Sequence, residues 1–391
     1  IGPQAIPFDA LLLDRLMAEA GMDALLVTSK HNVQYMLGGH RALFFDYMDA
    51  MGVSRYLPVL IYVRGATDKA AYVAHRLERN QLDLRPIWVP EVSTTVSGSL
   101  DAMAKAVEKL KQLGLERGAI GIEFPYLPYD AAQALQAALP GAKLLDSRET
   151  LDILRGRKSA AELALVREAS ERVIESMQAV IAKLRPGMTK QQAADALKQE
   201  EVARGLVFEY CLITAGADMN RAPSDQVVRQ GDILSIDSGG SYRGYIGDLA
   251  RMAIVGEPDA ELVDLLGEIE TVQQAAFRPI RPGLMGREIY SAAHAALAGL
   301  KHGNQLDFVA HGVGMVTHEV PRLSNRAPSP YPDTDAHLPL QPGMVISVET
   351  TLKHPTRGFI KLEDTVAVVD GGHEVYANSL RGWKRAGVAA G

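Results

Sequence analysis

Four acidic residues lie inside apolar, strand-like stretches of this chain, and they form two pairs that are mirrored about two turns. Asp237 ends the run Asp-Ile-Leu-Ser-Ile-Asp, and Asp248 lies within the apolar segment 244–251. The midpoint of this first pair falls between Tyr242 and Arg243, inside a Gly-rich turn. A hairpin that is symmetric about that point would place the two carboxylates directly opposite each other.

The second pair repeats the arrangement. Glu349 and Glu363 have their midpoint at Thr356, in the His-Pro-Thr-Arg-Gly turn. Like charges that face each other across strands are unfavourable, and apolar neighbours such as Val348 and Leu362 increase the cost of burying them. Because a bound cation would remove this conflict, the pattern predicts a metal centre.

The donor set indicates which ions the centre would take. Four carboxylates and one imidazole suit divalent ions such as Mn, Co, Zn or Fe, and bridging carboxylates commonly hold two ions roughly 3.5–4 Å apart. His311 is the natural fifth ligand, because its neighbouring glycines let backbone and substrate approach closely. Any single acid among the 47 is more simply a turn or edge residue. Two mirrored pairs with a glycine-flanked histidine nevertheless favour a site for two divalent metal ions.

Charge and cysteine content exclude several classes of protein. The formal net charge of -6 argues against nucleic acid or an anionic membrane as a main partner. The single cysteine, Cys211, permits neither an intrachain disulfide nor a cysteine-based zinc site, and it fits a cytoplasmic location. The apolar run 11–13 is too short for a signal peptide, and no apolar stretch is long enough to predict a membrane span.

The length of 391 residues favours two domains, which we place at 1–155 and 156–391. In the first, helical and strand-like segments alternate, which predicts an α/β domain. Its helical segments are 8–20 and 130–138, and its strand-like segments are 23–28, 59–63 and 119–123. In the second, helices group around hairpins, which predicts an α+β domain. Its helices are predicted at 160–183, 189–204, 260–278 and 286–300, and its strands at 227–237, 244–255, 344–352 and 359–369.

The C-terminal half resembles the pita-bread metallopeptidases, which include methionine aminopeptidase, aminopeptidase P and prolidase, with creatinase as a relative. The matching segments are 231–239, 244–251, 311–321, 342–349 and 358–364. The five positions that bind two metals in that family hold the expected residue types, in the expected order: Asp237, Asp248, His311, Glu349 and Glu363. The resemblance implies a pita-bread catalytic domain and hydrolysis by a metal-bound hydroxide.

The N-terminal half is similar to the smaller domain of the creatinase, prolidase and aminopeptidase P branch. Segment 31–38 resembles the stretch after that branch's first strand, and 154–162 resembles the entry into its catalytic domain. Members of the branch are usually homodimers, so a homodimer is expected. Residues 44–55, with Tyr47 and Arg55, are the candidate segment for closing a partner subunit's pocket.

The family mechanism assigns further roles. The metals would polarise the scissile carbonyl and supply hydroxide, with Glu349 aiding proton transfer. His318 matches a family histidine that contacts substrate and stabilises the developing oxyanion. The alternative, an ordinary surface histidine, is disfavoured by its spacing from His311. Arg322 and Lys361 could recognise a substrate carboxylate, or could equally be solvated charges.

Several residues depart from the peptidases. The stretch 214–224 contains no histidine, although peptidases place one there for proton transfer. Asp218 or Asn220 could substitute, but without imidazole chemistry near neutral pH. The fourth ligand is followed by Thr-Thr instead of Pro-Gly, and Ala250 replaces an expected threonine. Lys361 stands where prolidases commonly have arginine, which removes a planar two-pronged donor.

Three functions are compatible with these residues. The first is a metallopeptidase of the Xaa-Pro dipeptidase or aminopeptidase P type that acts on short peptides, as the complete ligand set indicates. The second is a metal-dependent hydrolase or lyase of a small non-peptide compound, acting on a C–N bond as creatinase and ectoine hydrolase do. The missing histidine favours this second function. A non-catalytic binding module is disfavoured, because such relatives typically lose metal ligands.

Overall fold

The computed structural model describes residues 5–49, 55–326 and 331–388. The chain divides into two compact units, Ile1–Leu154 and Arg155–Gly391, at a point one residue before the predicted boundary. Residues 50–54 of the candidate pocket-closing segment lie outside the described residues. Within the described ranges, no helix combines the length and the apolar character that crossing a bilayer requires.

The first unit is an α/β domain built on a mixed sheet. Its described strands are β1 (Ala24–Val27), β2 (Val59–Val63), β3 (Ala71–His75), β4 (Glu91–Val96), β5 (Ala119–Ile122) and β6 (Lys143–Asp146). Its described helices are α1 (Ala10–Glu19), α2 (Lys30–Met36), α3 (Arg79–Leu84), α4 (Ser99–Gln112) and α5 (Tyr129–Ala138), followed by α6 (Arg148–Gly156) at the boundary. The strand order is β4-β3-β2-β1-β5-β6, and four consecutive buried apolar residues in β1 mark it as a strand covered on both faces.

The second unit is an α+β domain built on a larger sheet. Its described helices are α7 (Ala160–Lys183), α8 (Lys190–Ala203), α9 (Ala260–Phe277) and α10 (Arg287–Ala298). Its described strands are β7 (Val207–Ala215), β8 (Ile233–Tyr242), β9 (Tyr245–Ile254), β10 (Leu306–Gly312), β11 (Val345–His354), β12 (Gly358–Val369), β13 (Gly372–Tyr376) and β14 (Lys384–Arg385). The order is β10-β11-β12-β9-β8-β7, with β13 on β12 and β14 on β9.

The register of the β8–β9 hairpin corrects one prediction. The turn consists of Arg243 and Gly244, both with positive φ, so the hairpin is symmetric about a point one residue later than predicted. Asp237 therefore pairs with Ala250, and the direct opposition of Asp237 and Asp248 is wrong. Because the shift moves partners by two positions, both carboxylates still lie on one face of the sheet.

The strand predicted at 227–237 begins later than expected. The Asp232 side chain accepts a hydrogen bond from the backbone N–H of Arg229 at 2.8 Å, and Gly231 takes a φ of 86°. These features form a turn, so β8 starts at Ile233. In the β11–β12 hairpin, by contrast, Glu349 pairs with Glu363 as the sequence predicted.

Helix α8 contains a buried acid, Glu201, that contacts β8, the strand on which Asp237 lies. The Glu201 side chain is fully buried, and its Oε1 accepts a hydrogen bond from Ser238 Oγ at 2.8 Å. Its Oε2 has no hydrogen-bond partner in the part of the chain that the structure describes. Burial raises the pKa of Glu201 to about 8, so this carboxyl group carries a proton at neutral pH.

Replacing Glu201 by Gln should remove a pH dependence of stability. The pKa of Glu201 in the folded chain lies above that of the unfolded chain, about 4.3. Its contribution is therefore fully present below about pH 4.3 and is lost as the pH rises toward about 8. Thermal unfolding should show the Tm of Glu201→Gln rising relative to wild type over that interval. Asp195→Asn, at an exposed position of the same helix, is the control for removing a carboxyl group, and a constant difference for Glu201→Gln would contradict the prediction.

Candidate metal centre

Four neighbouring strands present the predicted carboxylates on one face of the sheet. Asp237 pairs with Ala250, Ala250 with Glu363, and Glu363 with Glu349. Side chains in such a lateral row point to the same face, because the pleat alternates along each strand. Asp248 lies two residues from Ala250 and therefore shares that face. The fold brings all four acids together as the sequence predicted.

His311 joins the same face from β10, a strand that the sequence analysis did not predict. Val309 pairs with Glu349, and His311 lies two residues further along the strand. The Nε2 atom of His311 lies 3.9 Å from Asp248 Oδ2, 3.7 Å from Glu349 Oε1 and 3.8 Å from Glu363 Oε1. Ligands bound at about 2.0–2.3 Å to one ion lie roughly 3–4 Å from each other, so each of these three oxygens is at a distance from His311 that a shared ion allows.

The residues present therefore fit a divalent metal ion. Asp248, His311 and Glu363 are buried, and each offers a ligand atom within 4.8 Å of the others. Two carboxylates and an imidazole suit Mn, Co, Zn or Fe. Asp237 and Glu349 lie outside this group, and the described residues contain no second group of this kind.

A lysine occupies the other side of the acid cluster. The Lys361 Nζ lies 2.6 Å from Asp237 Oδ2 and 2.8 Å from Glu363 Oε2, and it also contacts Glu349 Oε2. Its side chain is only 4% exposed. Arg221 contacts the same Asp237 oxygen. One oxygen each of Asp237, Glu349 and Glu363 is thus paired with a cation of the chain itself.

The pKa values reflect this unequal pairing. Burial raises the pKa of Asp237 to about 6, against the lowering effect of Lys361. Burial and the neighbouring Glu363 carboxylate raise the pKa of Asp248 well above its ordinary value. Burial opposes ionisation of Glu363 as well, but Lys361 and His311 lower the pKa of Glu363 below its ordinary value. Lys361 and Glu363 are therefore an ion pair, and a cation is needed to ionise Asp248 fully.

The glycines after His311 make room for the chain rather than only for a ligand. A Cβ atom on Gly314 would lie 2.2 Å from Glu319 Oε1 and 2.8 Å from Lys158 Cε. Glu319 and Lys158 form a buried ion pair at 2.6 Å. A Cβ atom on Gly312 would lie 2.2 Å from the Glu319 carbonyl oxygen. Both glycines are thus required by the close approach of the segment around Glu319.

His318 stacks on His311, with ring centroids 3.9 Å apart and planes 14° from parallel. Its Nδ1 lies 3.2 Å from Thr317 Oγ1, whereas its buried Nε2 has no hydrogen-bond partner within the described ranges. Burial and the neighbouring His311 lower the pKa of His318 to about 4, so its ring is neutral. Arg322 is anchored through its backbone N–H, which donates to Asp335 Oδ2 at 2.7 Å. Substrate binding by His318 and Arg322 stays a prediction.

The contacts of Tyr210 and Arg221 with the acids are among those that were missed from the sequence. The Tyr210 hydroxyl donates to Asp248 Oδ1, and a Cβ atom on Gly239 would lie 2.3 Å from the Tyr210 ring, so the glycine admits the ring. Arg221 lies in the stretch 214–224 that lacks the family histidine. The only available signal was a basic residue in that unusual stretch.

The loop that carries Arg221 is held in place by a hydrogen bond from helix α8. Lys190 is buried, and its Nζ donates to the Asn220 carbonyl oxygen at 2.5 Å. The Arg221 carbonyl oxygen accepts from the Ile213 N–H on β7 at 2.7 Å. The guanidinium group is therefore held at Asp237 by both a helix and a strand.

A polar network fixes the opposite face of the sheet. Arg251 is fully buried and donates to Asp364 Oδ1 at 2.8 Å and to the Glu363 carbonyl oxygen at 2.7 Å. The Gln273 side chain donates to Asp364 Oδ2 at 2.8 Å and accepts from Thr350 Oγ1 at 2.8 Å. Thr350, one of the residues that depart from the family, thus serves this network rather than the acid face.

Gly314→Ala should destabilise the second unit and loosen the segment after His311. The added Cβ overlaps Glu319 Oε1, so the buried Glu319–Lys158 pair must move, and the upper bound of the cost is the roughly 3–5 kcal/mol of removing one partner altogether. Thermal unfolding should show a clear loss of Tm. Gly267→Ala in helix α9 is the matched control, because no atom of the described residues would lie within 4 Å of its added Cβ. Alanine there should raise helix stability by roughly 0.5–1 kcal/mol. Equal Tm values for the two variants would refute the steric argument.

Comparison with known families agrees with this geometry. The family model for metallopeptidase family M24 matches residues 164–370. The model for the creatinase/prolidase N-terminal domain matches residues 12–156. The two matches fall on the second and first units respectively.

Individual relatives span both units. The chain is 28% identical over 374 residues to a probable dipeptidase, PepE, of Mycobacterium tuberculosis, covering 91% of this chain and 90% of that protein. It is 25% identical over 368 residues to a Xaa-Pro dipeptidase of Pyrococcus horikoshii, covering 91% and 93%. The structure of a Xaa-Pro dipeptidase from Bacillus anthracis superposes with a TM-score of 0.78 at 22% identity, covering 96% and 100%. The pita-bread fold expected for the catalytic domain is confirmed by these likenesses.

Proposed function

The chain belongs to metallopeptidase family M24, and from that premise we propose that it is a Xaa-Pro dipeptidase-like or aminopeptidase P-like enzyme acting on short peptides. The observation that carries the proposal is the convergence of Asp248, His311 and Glu363 as buried metal donors. The dipeptidases of Pyrococcus horikoshii and Mycobacterium tuberculosis support the substrate class, since they match over both units.

The metal requirement is general to the family, and its details are part of the proposal. We propose Mn, Co, Zn or Fe as the ion and Asp237, Asp248, His311, Glu349 and Glu363 as the residues that form the centre. A divalent ion bound there would polarise the scissile carbonyl and lower the pKa of water. A homodimeric, cytoplasmic enzyme is also part of the proposal, and light scattering of the purified protein tests the dimer.

The residues around the ion site then have distinct tasks. The Glu349 side chain is 14% exposed, against 1–4% for the other predicted ligands, so it is placed to exchange a proton with substrate. The neutral ring of His318 has an unpartnered buried Nε2, in the described part of the chain, that can donate a hydrogen bond to a developing oxyanion. Arg322 is proposed to bind a substrate carboxylate. The ammonium of Lys361 is engaged by the chain's own acids, so we do not assign it that role.

A second candidate function rests on the loop 214–224. This loop brings the guanidinium of Arg221 to Asp237, and it contains no histidine of the kind that the peptidases use for proton transfer. A guanidinium group does not exchange protons near neutral pH. An enzyme that hydrolyses a C–N bond in a small non-peptide compound, such as a cyclic amidine or amide, would suit a pocket altered in this way.

Metal-free enzyme should cleave Xaa-Pro dipeptides only after Mn, Co or Zn is added. His311→Ala should lower kcat/KM by at least roughly 100-fold, because removing a ligand costs more than the 10–100-fold typical of groups that only support one. His337→Ala, which removes an exposed histidine of the same unit, should leave the rate unchanged. Activity is measured on matched Xaa-Pro and Xaa-Ala dipeptides, and on small cyclic amidines and amides.

The panel separates the two candidates. Metal-dependent cleavage of an amidine or amide, with no cleavage of any dipeptide, would replace the peptidase proposal with the second function. Dipeptide cleavage that survives both chelation and His311→Ala would exclude this centre as the site of reaction.

A further inference from the structure

We infer that the Lys361 ammonium takes the place of one of the two ions expected for this family, so that the centre binds a single divalent ion. That ion is bound by Asp248, His311, Glu349 and Glu363. The inference rests on the proposed function, which supplies the metal requirement, and it specifies how many ions this chain takes.

Each of the two glutamates has one carboxylate oxygen near His311 and the other near Lys361. Glu349 and Glu363 direct Oε1 toward His311 Nε2, at 3.7 and 3.8 Å. They direct Oε2 toward Lys361 Nζ, which lies 2.8 Å from the Glu363 oxygen and also contacts that of Glu349. Both carboxylates therefore bridge a metal-binding side and an ammonium side. In a centre with two ions, the same bridging oxygens would bind the second ion.

The remaining oxygens on the ammonium side are also engaged. Asp237 Oδ2 is 2.6 Å from Lys361 Nζ and is contacted by Arg221 as well. Asp248 Oδ1 accepts a hydrogen bond from the Tyr210 hydroxyl. A second ion would have to compete with these donors for its ligands.

Charge balance favours one ion over two. The four carboxylates are neutralised by one dication together with the Lys361 ammonium and the Arg221 guanidinium. A second dication would leave two positive charges in excess on a buried face, where uncompensated charge is costly. In the described residues Lys361 forms ion pairs with Asp237, Glu349 and Glu363 and with no other acid. Moving it aside would therefore bury an unpaired ammonium.

Metal stoichiometry tests the inference without relying on activity. Metal-free protein is loaded with excess Mn(II), desalted, and analysed for manganese by mass spectrometry and by electron paramagnetic resonance. Wild type should retain about one ion per chain and show the six-line signal of an isolated Mn(II). Lys361→Met should retain about two ions per chain and show a spin-coupled signal, because the neutral side chain leaves the second set of oxygens available. Lys353→Met, at an exposed position of the same hairpin, should match wild type.

Ligand variants provide an independent reading. Asp237→Asn should still bind about one ion, because Asp237 pairs with cations of the chain, whereas His311→Ala should bind none. If Lys361→Met does not fold, the number of ions bound by Asp237→Asn tests the inference instead. Loss of the ion in that variant would refute it.

The outcomes separate the inference from the proposed function. Two coupled ions in wild type would overturn the inference and leave the metal-dependent function standing. A single ion in folded Lys361→Met would show that the ammonium does not exclude the second ion, which also overturns it. No bound ion in wild type would overturn the proposed function itself.

Discussion

The convergence of four carboxylates on one buried face is the constraint on which the catalytic unit depends. Without nearby cations, burial and mutual repulsion would keep some of these carboxyl groups protonated. The chain provides two such cations, Lys361 and Arg221, and Asp248, His311 and Glu363 converge as donors for a metal ion. The register of the sheet, the glycines that admit close neighbours and the network behind the strands all hold this arrangement in place.

Much of the centre could be predicted from the sequence, because its acids are mirrored about turns. The Glu349–Glu363 pairing was predicted correctly, because the hairpin is symmetric about Thr356, the residue midway between the two acids. The Asp237–Asp248 register was wrong by one position at the turn. Two adjacent residues with positive φ form that turn, and composition alone did not identify Arg243 as one of them.

Other features had no local signal. The strand β10 alternates buried and exposed residues only in part and was not recognised, although it carries His311. The contact between Arg221 and Asp237 is made by a loop residue 16 positions away, so no strand or helix period in the sequence reports it. The α/β and α+β character of the two units was easier to predict, since it follows from the order of helices and strands.

The network formed by Arg251, Asp364 and Gln273 has a consequence for how such a scaffold diversifies. It holds the ligand-bearing strands by hydrogen bonds on the face opposite to the acids, including one to the Glu363 carbonyl oxygen. Mutations in the loop 214–224 can then change the surroundings of Asp237 while this network keeps the ligand-bearing strands in place. Residues that bind the metal and residues that select the substrate can therefore change independently in evolution. Related proteins can then act on new substrates while they keep the same metal ligands.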